Sequence, residues 1–402
     1  MKTNVLNLIC LFAILLIAIS CEKETPIVQT TGIVFPKTSV LLNVGSQDTL
    51  KVAISPTNAT NPAVTWTSSD TTVARVNADG IVTGVKHGSS TITATTVDGK
   101  YKATCVVQSL KWTRYTTADG LSANSVSCVV IDSVGSLWFG GLSASKFDGS
   151  IWTTYLDNQG ARAIAVDKQN NKWFGTGYGI SKFDGTNWIT YDTSNSGLTD
   201  SSINSNTVAI DLNASVWAAT SSQVTFSGTG VSVFNGTTWK GYNSTNGLAS
   251  NNVVCIAADA QGNKWFSTYK GLSRFDGTTW TSYTSANTNT DLVNNVECIA
   301  FDAQGNKWFG TDIGLLKFDG TTWTTYTISN SGLICNPIVS IAIDKQGNKW
   351  LGTLAGGVTK FDGTTWTNYN YDKFIVIVRG IAIDKQGNKW FATDNGVFEL
   401  QD

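Results

Sequence analysis

From residue 110 to the C-terminus one phrase recurs with a period of about 40 residues, which means a solenoid or a propeller. Each copy holds four short apolar runs, as in "SIAID", "NKWFGT", "GLLKFD" and "TTWTTY". Runs of this length, rich in β-branched and aromatic residues and bounded by turn formers, are strands. The Asp that closes the first run occurs seven times, at Asp132, Asp167, Asp211, Asp259, Asp302, Asp344 and Asp384. The Trp of the second run also occurs seven times, at Trp138, Trp173, Trp217, Trp265, Trp308, Trp350 and Trp390. Asp-Gly or Asn-Gly joins the third and fourth runs, as at Asp319-Gly320 and Asn235-Gly236. These pairs tolerate positive φ and make tight hairpins. The fourth-run Trp occurs only six times, at Trp152, Trp188, Trp239, Trp280, Trp323 and Trp366, because the last copy stops after its third run. Its missing piece stands at the front: in "KWTRY", Trp112 and Tyr115 keep the spacing of "TTWTTY". The expected fold is therefore all-β, a seven-bladed β-propeller whose last blade is completed by an N-terminal strand. Such closure removes an exposed edge. A linear solenoid would have no use for a fourth strand at its wrong end.

The repeats also explain residues that could be mistaken for chemistry. In the first strand the residues one and three before the Asp are large, as at Ile343 and Ile341, and those two and four before it are small, as at Ala342 and Ser340. Such alternation lets neighbouring blades interlock. Cys128, Cys255 and Cys298 stand at the small position that Ala163, Thr207, Ser340 and Gly380 fill elsewhere, so they read as packed thiols. Cys105 and Cys335 are isolated, and few or no disulfides are expected. The Trp rows read as core, not as a sugar-binding ladder. A calcium loop needs several converging oxygen ligands. "DKQGNKW" offers one carboxylate and then Lys, so its Asp reads as a turn cap. No metal and no cofactor are expected.

The front of the chain differs. Lys2 precedes an apolar run over 9–19, too short to span a bilayer. It ends in "AIS" before Cys21, which resembles a bacterial lipobox, although Ala18 stands where Leu or Val is usual. The resemblance implies a signal peptide over 1–20, a lipid on Cys21 and a linker over 21–30. The following "EKE" resembles the acidic tags that sort some lipoproteins outward, implying a lipid-anchored, surface-exposed outer-membrane protein. Residues 31–108 read as short alternating strands, the sandwich pattern. Their "VTWTSSDTTVARVNADGIVTGVKHGSSTITATTVDG" resembles the bacterial immunoglobulin-like group 2 domain. That family implies a spacer or adhesive module, with Trp66 as core aromatic and His87, the only His of the chain, in a loop.

Between blades the wording "DGLSANSVSCVVIDSVGSLWFGG" and "NGLASNNVVCIAADAQGNKWFST" resembles the two-component regulator propeller repeat over most of 110–402. The family implies a sensory propeller of hybrid histidine kinases that detect glycans. This chain shows no transmembrane helix and no kinase segment after the propeller, so it is not expected to signal alone.

The hairpins "DKQGN" and "FDGTT" are nearly uniform and share one face, whereas the other joints vary and share the opposite face. Recognition belongs on the varied face. Its candidate ligand-binding residues are Tyr178, Phe226, Tyr269, Lys270, Asp312 and Asn395 between second and third strands, with Tyr371 and Phe374 between blades. Arg162, Glu297 and Arg379 share one position just before the first strand, near the channel mouth. Aromatic faces and planar polar groups suit a glycan or an envelope protein. The net charge of −1 and 14% charged residues argue against nucleic acid. No catalytic residue is expected: the propeller segment lacks His and holds only Glu297 and Glu399 as glutamates. The reading is a monomeric, non-catalytic binding ring on a spacer. The alternatives are a polysaccharide lyase or a subunit of an envelope complex.

Overall fold

The structure is a computed structural model describing residues 26–221, 227–369 and 376–402. Cys21 and the apolar leader, Phe226, Tyr371 and Phe374 lie outside the described residues. The chain divides into two units, Met1–Leu110 and Lys111–Asp402. No described helix is long and apolar enough to cross a membrane.

In the first unit the alternating runs become short strands. Val64–Ser68 pairs with Gly88–Thr96, and the latter pairs with the leading part of Lys102–Tyr115. Ser39–Asn43 lies parallel on the other edge of that strand. Gln47–Thr49, Ile81–Gly84 and Ala74–Val76 make a second sheet, and Gly32–Val34 pairs with Ala53–Ser55. Leu42, Leu50, Val82, Ile92, Cys105 and Val107 form the core, with Trp66 half-buried against it. Gly80 (φ +77°) lies under the indole, where a Cβ would stand 2.7 Å from a Trp66 ring carbon.

In the second unit each complete copy of the repeat is one four-stranded antiparallel sheet, six in all among the described residues. The fifth consists of Val296–Phe301, Lys307–Thr311, Gly314–Phe318 and Trp323–Tyr326. The last copy has three strands, Val378–Ile383, Lys389–Thr393 and Gly396–Gln401. Residues 111–115 supply its fourth, with Trp112 opposite Leu400 and Tyr115 opposite Val397. The first strands of successive sheets pack side by side in chain order, and Val378–Ile383 packs on Val126–Ile131, so the series has no free end.

The repeated Asp does more than cap a turn. In the fifth sheet Asp302 Oδ1 accepts the backbone N–H of Gln304 (3.1 Å) and Asn306 (2.8 Å). Its Oδ2 accepts Asn306 Nδ2 and Trp308 Nε1, both at 2.8 Å. The Asp–indole bond recurs in every copy, at 2.8–3.1 Å. It satisfies the one polar atom of each second-strand Trp, and all seven of these rings are at most 4% exposed. A carboxylate binding both its own hairpin and a core indole makes turn and core one unit. This pairing across six residues was not foreseen.

Sheets are also tied to each other. The Lys before the second-strand Trp reaches back over the preceding sheet's indole: Lys349 Nζ is 4.6 Å from the Trp308 ring centroid and Lys389 Nζ 4.7 Å from that of Trp350. Lys172 and Lys264 do the same and lie 3.6 and 3.7 Å from Asp132 and Asp211. A buried ammonium is tolerated when a carboxylate and a π face replace its water. The small first-strand position follows from close approach. A Cβ on Gly310 would stand 2.5 Å from Cys298 Sγ and 2.7 Å from the Ile338 carbonyl of the next sheet. Burial raises these thiols, Cys128 to about 11 and Cys255 to about 12, and all described cysteines are free. The fourth-strand indoles are less covered and stack on third-strand rings, as Trp366 does on Phe361 at 4.1 Å.

Candidate functional site

The two ends of the sheets in the second unit are built differently. At one end lie the Asp-capped hairpins just described and those between third and fourth strands. In the latter, Asp319 Oδ1 accepts the N–H of Thr321 and Thr322, both at 2.8 Å. These backbone hydrogen bonds, with that from the Thr321 hydroxyl, pull the Asp319 carboxyl down to about 2. Each carboxylate here is engaged by its own turn.

At the other end a Thr-x-x-Gly hairpin links second and third strands. Thr268 Oγ1 donates to the Gly271 carbonyl (2.8 Å) and accepts the Lys270 N–H (3.2 Å). Thr176, Thr311 and Thr393 repeat the pattern. The Gly is required: Gly271 has φ +113°, and a Cβ on it would stand 2.3 Å from the Tyr283 carbonyl. With its backbone held this way, the hairpin pushes its middle residues into solvent. Tyr178 is 66% exposed and Tyr269 70%, with Lys270 beside it also exposed. Leu142, Ile313 and Leu354 occupy the corresponding tips of other sheets and are also exposed. Sequence reasoning missed these three. Only comparison of the second-to-third-strand hairpins from copy to copy sets them apart from core aliphatics.

Glu297 and Arg379 lie inside their first strands, a correction to the expected position just before them. Pairing jumps from Val296↔Thr311 to Cys298↔Gly310 and from Val378↔Thr393 to Gly380↔Ala392, so each is the extra residue of a β-bulge. A bulge re-aims its side chain away from the ladder. Arg162 does precede its strand, and its N–H donates to the Gly175 carbonyl (2.8 Å).

The structure brings some of the candidates together. Glu297 is half-buried, and desolvation, followed by the nearby Asp312 charge, raises its carboxyl above the usual range. Asp312 Oδ2 accepts Asn295 Nδ2 (2.8 Å). Arg162 Nη1 donates to Ser202 Oγ (3.3 Å) and the Ile203 carbonyl (3.4 Å) of the next sheet. Asn395 is held by Arg114, whose Nε donates to its carbonyl (2.9 Å) and whose Nη2 donates to its Oδ1. Tyr178 stays on one hairpin tip, while Tyr269 and Lys270 share another.

All seven first strands line one solvent-open cavity. Val129, Ile164, Val208, Cys255, Ile299, Ile341 and Ile381 contribute one wall residue from each strand, and among the described residues Arg379 is the one charged residue on the lining. The lining includes the bulge residues Val339 and Arg379, so it reaches the end of the strands where the varied hairpins are. No cluster of three or more His, Cys, Asp or Glu suited to a metal occurs among the described residues.

This geometry defines an all-β, propeller-like scaffold preceded by a second β unit. Residues 29–107 match the model of the bacterial Ig-like domain (group 2), and residues 120–143 match the two component regulator propeller. The chain thus carries a group 2 Ig-like domain and a regulator-propeller region. An α-L-arabinofuranosidase of Bifidobacterium longum subsp. longum is 45% identical over 76 residues, which is 19% of this chain and 7% of that protein. The extracellular domain of a hybrid two component system from B. thetaiotaomicron superposes with a TM-score of 0.61 at 20% identity, over 77% of this chain and 43% of that one. A streptogramin B lyase superposes with a TM-score of 0.59 at 15% identity, over 72% of this chain and 97% of that one. The chain therefore spans less than half of the first two, and the likeness to the two solved structures is one of fold.

Proposed function

We propose that this protein is a cell-surface recognition module. In this reading the seven sheets form a seven-bladed propeller closed by residues 111–115, and 31–108 form an Ig-like sandwich acting as a spacer. A lipid on Cys21 anchors the chain to the outer membrane. The varied end of the propeller binds a glycan or an envelope protein without transforming it. One observation carries this proposal: one end of the sheets has every hairpin carboxylate tied to its own turn, while the other presents Tyr178, Tyr269 and other exposed tips around an open cavity. Likeness to an extracellular sensor domain supports a location outside the cytoplasm.

Glycan arrays and cross-linking in envelope extracts test the reading. Tyr178→Ser with Tyr269→Ser should abolish capture, whereas Thr278→Ala on the uniform end should not. Equal loss from both ends would overturn it. A lyase is the second reading, motivated by the streptogramin B lyase superposition. It requires product release from polysaccharide, which a reducing-end assay would reveal. Lipidation predicts palmitate incorporation that Cys21→Ala abolishes.

A further inference from the structure

The second unit contains four arginines, Arg114, Arg162, Arg274 and Arg379. Three of them are engaged. Arg114 holds Asn395, Arg162 holds Ser202 and Ile203, and Arg274 Nε donates to Asn263 Oδ1 at 3.1 Å. Arg379 makes no hydrogen bond or ion pair among the described residues; the ion pairs found there are Lys100–Asp98, Lys172–Asp132, Lys264–Asp211 and Lys389–Asp402. Asp394, on the hairpin of the same sheet, accepts the Ile377 N–H instead (3.1 Å). The bulge at Arg379 turns a side chain that would otherwise join the ladder toward the cavity it lines. Among the described residues the cavity walls are aliphatic or small, without an aromatic platform of the kind a sugar ring stacks on. The exposed hairpin tips are mixed, aliphatic at Leu142, Ile313 and Leu354 and aromatic at Tyr178 and Tyr269.

A single unpaired guanidinium over an aliphatic cavity is a complement for a carboxylate attached directly to an aliphatic group. We propose that the cavity receives the free C-terminus of a partner chain ending in a branched aliphatic residue, with Arg379 pairing its carboxylate. This rests on the reading that the varied end is the binding face, and it selects a protein over a glycan there. The terminal side chain replaces water against Ile299, Ile341 and Ile381. The planar fork of the guanidinium takes both carboxylate oxygens, which an ammonium cannot do.

The test uses the full chain carrying methyl-labelled isoleucine, read by NMR. The probes are acetyl-Ala-Val-Val with a free carboxylate, the same peptide as its C-terminal amide, and D-glucuronate. The free acid should shift the methyls of the cavity isoleucines, with affinity at least about tenfold above that of the amide. Arg379→Gln should erase that preference without lowering Tm, and Arg379→Lys should retain part of it. Equal binding of acid and amide would overturn the proposal. So would no shift at about 10 mM peptide, or Arg379-dependent shifts from glucuronate alone. If Arg379→Gln leaves envelope capture intact while the Tyr178/Tyr269 variant loses it, the carboxylate anchor fails and the binding face stands. If neither variant affects capture, the face itself fails.

Discussion

The two ends of the sheets in the second unit come from the same repeat, yet they treat polar and exposed groups in opposite ways. At the uniform end Asp259 is 3% exposed and accepts from Trp265, Asn263 and two backbone N–H groups. At the varied end Tyr269 is 70% exposed and touches its neighbours mainly through the backbone. The lesson is that one end holds its hairpins by Asp carboxylates and the other, in several sheets, by a Thr hydroxyl and a Gly. The tips of the second kind are thereby free to differ without disturbing the fold.

The largest test concerns the borrowed strand, on which both ends depend. A chain starting at Lys111 should unfold cooperatively, whereas one starting at Thr116 should lose roughly 5 kcal/mol or more with the Trp112 and Tyr115 rings and their ladder. Equal melting temperatures would break the picture. Next come single changes at the uniform end. Trp265→Ala should cost about 3–5 kcal/mol, and Asp259→Ala roughly 3 kcal/mol, because an indole N–H is left unpaired in the core. At the varied end Tyr178→Ala or Tyr269→Ala should stay within about 0.5 kcal/mol. Urea titrations measure all of these, and a large loss at Tyr269 would erase the contrast.

Acid should act on the uniform end first. Burial pushes the Asp302 carboxyl up, but hydrogen bonds from Trp308 and Asn306, with the Lys349 charge, outweigh it and hold the group below its usual value. Its folded value lies below the unfolded one, so its stabilisation is complete above about pH 4 and lost as pH falls through the folded value. Asp302→Asn should therefore destabilise at neutral pH and approach the parent in thermal melts as pH falls below the folded value. The smallest effect is of opposite sign. Glu297 is raised by burial and by Asp312, so ionising it opposes folding above its unfolded value. Glu297→Gln should raise Tm slightly at about pH 7 and leave it unchanged at about pH 4.

Internal repetition made much of this legible. Comparing copies showed which Asp and Trp belong to the frame, and the missing fourth strand could be found by its Trp112–Tyr115 spacing. Those are local patterns, readable wherever a motif is copied within one chain. The candidate site was less legible. Arg162 and Arg379 look equivalent in sequence, yet one is tied to Ser202 of the next sheet and the other, on the cavity wall, has no partner among the described residues. The hold of Arg114 on Asn395, 281 residues distant in the chain, left no mark in the sequence. Leu142, Ile313 and Leu354 carry no mark of exposure in their own letters.

The amino-acid order alone therefore settled strand count per copy, the turn chemistry and the borrowed strand, because hydrophobic period and Asp-Gly turns act over a few residues. Only the tertiary structure decided which charges are neutralised, which bulges aim side chains inward and which apolar tips face water. Those outcomes depend on which backbone from a neighbouring sheet arrives within hydrogen-bonding distance, and no repeat encodes its neighbour.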